Sequence, residues 1–135
     1  MMQIENMPAT VLDTAQVVAN ECVAEVVGVT AVVIATVDGF DVASACRGEQ
    51  NAARLAAMAS SISAISSVVS MEAGLGDFKS VTIGTGNGFA VVHSVPRPDV
   101  ELVINVIASG DAILAQVMHR VGLMSKQLLA MSSEP

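Results

Sequence analysis

Large apolar side chains recur along this chain with two different periods, and the switches between them outline its elements. From Thr10, with Asp13 three residues on as a capping box, Val11, Ala15, Val18, Cys22 and Val26 repeat at helical spacing. Asp13, Gln16, Asn20, Glu21 and Glu25 turn away from that stripe, and Gly28 ends the helix. Thr30 to Thr36 is β-branched and apolar, Asp38-Gly39 supplies a hairpin turn tolerant of positive φ, and Phe40 to Cys46 is the return strand. A long second helix over about Asn51 to Met71 breaks at Gly74 and Gly76. Phe78 to Thr85 then leads through Gly86-Asn87 into Phe89 to Val95, and the PRPD run turns the chain into Val100 to Ala108. That last strand is almost continuously apolar, as a central strand covered on both faces should be. A third helix, about Asp111 to Met131, gathers Ile113, Leu114, Val117, Val121, Met124 and Leu128 on one side.

The order is helix, two strands, helix, three strands, helix, with no linker long enough to divide domains. One domain is expected over residues 10–131, between a flexible amino terminus (1–9) and a short tail (132–135). The class is α+β: one antiparallel sheet in a three-layer α/β/α domain, helices one and three on one face and helix two on the other.

The second helix departs from the usual pattern. Leu55, Met58, Ile62, Ile65 and Val69 make a stripe suited to a core, yet the opposite stripe, Ala53, Ala56, Ala57, Ser60, Ser63, Ala64 and Ser67, carries no charge. A solvated helix face normally carries Lys, Glu, Asp or Arg. The expectation is a helix covered twice: by its own sheet, and by another polypeptide, most simply the same helix of a second copy. Small side chains let two helix axes approach to about 8 Å. A membrane span is disfavoured, because serines dilute the apolar run and it falls short of the roughly 20 residues a bilayer requires.

Composition narrows the partners. With 53% hydrophobic residues in 135, the chain can bury a real core. A net charge of −7, only 6 basic residues, and three Phe without Trp or Tyr argue against nucleic acid and against anionic lipid surfaces. The first residues lack the basic stretch and apolar run of a secretory signal, so a cytoplasmic location is expected, with Cys22 and Cys46 as reduced packing residues.

No catalytic constellation emerges. Gly84, Gly86 and Gly88 precede a strand rather than a helix, which suits a hairpin turn and not a phosphate cradle, and no P-loop motif is present. His93 and His119 have no metal-ligand partners at suitable spacing, and no serine sits in an activating motif. Arg47, Arg54 and Arg97 are the arginines to weigh for insertion into a partner's phosphoryl-transfer site, with ordinary structural or surface charge as the competing explanation. No enzyme, cofactor or metal is expected.

The element order, with Val27-Gly28-Val29-Thr30-Ala31, the Asp38-Gly39 turn, Ala52 to Ala57 and Ser80-Val81-Thr82-Ile83, resembles the Roadblock family of dynein light chain and bacterial GTPase-regulator proteins. The resemblance covers nearly the whole chain. It implies sheet order 2-1-5-4-3, dimers formed by helix two on helix two and strand three on strand three, and service as a platform for Ras-like small GTPases. By position, the dimer contact would use Ala53, Ala56, Ala57, Ser60, Ser63, Ala64 and Ser67, with Lys79, Val81 and Ile83 along the strand edge. The GTPase-contacting residues stay unassigned. The expected function is therefore a non-enzymatic homodimeric scaffold or regulator of a Ras-like GTPase. The alternative is a small-ligand sensor whose pocket against the sheet uses Asn105 and His93.

Overall fold

A computed structural model describes residues 7–131. The elements run α1 (Ala9–Glu25), β1 (Val29–Thr36), β2 (Asp41–Cys46), α2 (Ala52–Glu72), β3 (Ser80–Thr85), β4 (Gly88–Val95), β5 (Leu102–Ser109) and α3 (Leu114–Ala130). The sheet has the order β2-β1-β5-β4-β3, antiparallel throughout. The near-unbroken apolar run of β5 is explained by its place: it pairs with β1 on one side and β4 on the other.

Residues paired across strands share a face, so register decides what each helix meets. Leu102, Ile104 and Val106, with Val32, Ile34, Val91 and Val95, join α1 and α3 in the larger core. Val11, Ala15, Val18 and Cys22 come from α1, and Val117, Val121, Met124 and Leu128 from α3. Each fully buried Val or Leu contributes about 1.5–3 kcal/mol. Val33, Ala35, Val92 and Val103 face the other way and pack under α2.

Four expectations change. The Thr10/Asp13 capping box is absent: α1 begins after Pro8 without a side-chain cap. Met7, placed with the flexible terminus, is buried in the core; residues 1–6 and 132–135 lie outside the described residues. Ile113 and Leu114 are exposed, because α3 starts only at Leu114 and its buried stripe begins at Val117. Gln16 is not simply turned to water either, since its side chain bonds the backbone of Ser44 and ties α1 to β2.

Cys22 and Cys46 are free thiols, and burial pushes Cys22 up to about 11, which leaves it an inert packing group. Gly28 turns the chain from α1 into β1 at φ +87°, and a Cβ there would lie 2.5 Å from the Ala112 backbone nitrogen. Gly74 also has positive φ (+69°), but nothing lies within 4 Å of its Cβ position. Gly28→Ala should therefore cost about 2–4 kcal/mol, strain plus overpacking, and Gly74→Ala only about 1 kcal/mol, compared by urea unfolding.

Candidate interaction surface

Asn51 caps α2 by accepting a bond from the Arg54 backbone N–H at 3.0 Å. Below the helix, the sheet presents small and β-branched side chains, and α2 sits close enough for polar groups to bridge the gap. The Ser60 hydroxyl donates to the Val37 carbonyl, and Asn105 Nδ2 donates to the Leu55 carbonyl at 3.3 Å. Asn105 Oδ1 is buried with no partner, at a cost of about 1–3 kcal/mol. Such a narrow gap admits small residues.

The two stripes of α2 are accordingly assigned differently from the expectation. Ala56, Ala59 and Ser63 are the residues buried on the sheet, flanked by half-buried Ala52, Leu55 and Ile62. Met58, Ile65 and Val69, expected in the core, face outward with Val68 and Met71. Of the residues expected at a dimer contact, Ala56 is fully buried within the subunit and Ser63 is 6% exposed, both on the side turned to the sheet. Ser60 and Ser67 are half-buried, while Ala53, Ala57 and Ala64 are exposed. The outward face is thus more apolar than the small stripe alone: Ile65 is 66% exposed and Val68 59%. Arg54 and Glu72 mark its two ends, on one azimuth because eighteen residues make about five turns.

Although the uncharged stretch from Leu55 to Ser70 is short for a membrane span, the whole helix, 21 residues, is by length and composition long and apolar enough to cross one. Only 17% of its apolar stretch is buried against the sheet, so most of the apolar composition is turned outward.

Among the described residues β3 pairs only with β4, which leaves its other edge open there. Lys79 is exposed just before the strand, Ile83 is partly exposed, and Val81 packs beneath α2 beside Ala59, Val92 and Val103. Open edges invite a further strand.

The arginines separate clearly. Arg97 is buried, forms two bonds to Asp99, and donates to the Leu128 and Met131 carbonyls at the end of α3. Arg47 donates to the Val23 and Val29 carbonyls. Arg120 pairs with Glu25 at 2.9 Å. Arg54 alone has no side-chain bond among the described residues. No group of three or more His, Cys, Asp or Glu that could hold a metal occurs among the described residues.

The two polar groups weighed for a ligand pocket do not converge. Asn105 is paired with Val92 on the α2 side, whereas His93 is paired with Ile104 on the side of α1 and α3. Strand alternation puts the sheet between them.

The Roadblock/LC7 domain model matches residues 19–104. Among solved structures, the Roadblock/LC7 domain from Streptomyces avermitilis is similar at 18% identity, covering 84% of this chain and 92% of that one, with a TM-score of 0.76. The gliding protein MglB from Thermus thermophilus superposes at 15% identity over 93% of each chain, TM-score 0.80. Myxococcus xanthus MglB does so at 15% identity, covering 87% of this chain and 86% of that one, TM-score 0.77. No curated protein matches the sequence significantly. With its sheet order, its single outer helix α2 and this match over most of its length, the chain belongs to the Roadblock/LC7 domain family.

Proposed function

We propose that this protein is a homodimeric, non-enzymatic scaffold or regulator that binds a Ras-like small GTPase in the cytoplasm. The observation that carries the proposal is the outward face of α2, where Met58, Ile65, Val68 and Val69 stand exposed on a well-formed helix. A contiguous apolar face of this kind marks an interaction surface. A second copy fits it: in an antiparallel helix pair, Arg54 of one protomer comes level with Glu72 of its partner. The open edge of β3 offers a second, continuous contact. MglB, a structural neighbour, is described in a tetrameric arrangement, which supports assembly as a property of such chains.

The GTPase partner rests on family membership and on the absence of any self-contained catalytic set among the described residues. Pairing of two copies takes up the apolar α2 face, so the GTPase would meet the helix-two side of the dimer beside it. Arg54 has no side-chain bond within the subunit among the described residues, so its guanidinium is open either to Glu72 of the second copy or to a GTPase's phosphates.

The test is direct binding of Ras-like GTPases from the same organism, loaded with GTP or GDP, measured by titration calorimetry. One of them should bind with at least about a tenfold preference between nucleotide states, a coupling of about 1.4 kcal/mol. Absence of binding in both states for every such GTPase overturns the partner assignment.

A further inference from the structure

A cavity of about 640 Å³ opens between the C-terminal halves of α2 and α3, within the range of roughly 300–1,000 Å³ typical of small-molecule sites. It exists because β3 starts late. The β3 ladder begins at Ser80, opposite His93, while β4 runs on to Val95, so the sheet is one strand narrower there. Met71, Phe78, Pro96 and Leu129 give it apolar walls, and Ser67 and Ser125 add hydroxyls from the two helices.

Its charges are not those of the rest of the molecule. The chain carries a net −7, with 13 acidic residues, so acidic groups beside any cleft are to be expected, and Asp77 and Glu101 line this one. Lysine is scarce: Lys79 and Lys126 are the only two in the sequence, and both line this cavity from separate elements. His93, on the cavity wall, has its Nδ1 buried without a hydrogen-bond partner. Burial and the neighbouring Lys79 lower its pKa, which favours a neutral imidazole.

We propose that this cavity binds a small organic anion, with a carboxylate or phosphate held between Lys79 and Lys126 and an apolar body against Phe78 and Leu129. The site does not rest on the GTPase reading; it borders the surfaces proposed for pairing, sharing Met71 with the outward α2 face and Lys79 with the β3 edge, and it differs from the pocket expected from the sequence because Asn105 takes no part.

The test uses the full chain in its own association state, with melting followed by circular dichroism. Hexanoate and hexyl phosphate present a body with each head group; acetate and inorganic phosphate present the heads alone, and hexanol the body alone. Hexanoate or hexyl phosphate should raise the Tm by roughly 5–10 °C at about a hundredfold excess over Kd, and which of them does so identifies the head group. The other three should leave it unchanged. Lys79→Met with Lys126→Met should abolish the shift, Lys→Arg at both positions should keep it, and Arg54→Met should have no effect. No shift with either amphiphile, a shift that survives the double Met variant, or equal shifts from the head groups alone overturns the proposal.

Discussion

Ile65→Arg should abolish the proposed pairing through α2, leaving monomers, without unfolding the protein. Ile65 is 66% exposed in the isolated subunit, so the substitution disturbs little within it. In a paired α2 face, however, it forces an unpartnered guanidinium into a desolvated contact, at about 3–5 kcal/mol. The dissociation constant should rise by about 100-fold to 1,000-fold or more. Sedimentation over a range of concentrations reads this directly, and an Ile65→Arg protein that associates like the wild type removes the helix pairing. Ser63→Glu is the contrasting variant. Ser63 is only 6% exposed beneath the helix, so a carboxylate there should lower the stability of the subunit itself by several kcal/mol, visible in urea unfolding. The pair of variants separates a surface that faces a partner from one that faces the sheet.

Arg97→Met should be the most damaging single substitution in the larger half of the domain, lowering stability by about 3–5 kcal/mol. The guanidinium is 1% exposed and bonds the Asp99 carboxylate at 2.7 Å, while its other end holds the last carbonyls of α3. Removing it leaves a buried carboxylate and unpaired carbonyls together. Acid should act on the same pair. The hydrogen bond from Arg97 holds the Asp99 carboxyl below its ordinary value of 3.8. A depressed carboxylate stabilises the fold above its unfolded pKa, and that contribution is lost as pH falls from about 4 through the folded value. Wild-type protein should therefore lose stability in this range. Arg97→Met, already without the pair, should show a shallower loss over the same range, measured by urea midpoints from pH 5 downward.

These two sites mark different limits of what the residues disclose. The strands could be read because Val, Ile and Thr clusters are separated by turns whose chemistry is local: Asp38-Gly39, Gly86-Asn87, and glycines that take positive φ at 28 and 74. Arg97 could not. In sequence it is a basic residue between two prolines, and nothing local indicates that the end of α3, some thirty residues on, closes over it. Its burial depends on a contact made only after folding. Gln16 is similar, a polar residue on a helix whose bond to β2 required knowing which strand lies beneath.

The candidate surface was half legible. That both stripes of α2 lack charge, which is the ground for expecting a partner, is read directly from the residues, and the family's element order followed from periodicity and turns. Which stripe meets the sheet did not follow: both are uncharged, and polarity favours the large aliphatic stripe for the inside, whereas the space above the sheet admits the small one. Periodicity, glycine placement and apolar content are properties of neighbours along the chain, and they specify elements, class and the presence of an uncharged helix. The width of the gap between α2 and the sheet belongs to side chains far apart in sequence. A narrow gap, bridged by Ser60 and Asn105, selects Ala56, Ala59 and Ser63 for the inside and leaves Ile65 and Val68 facing out.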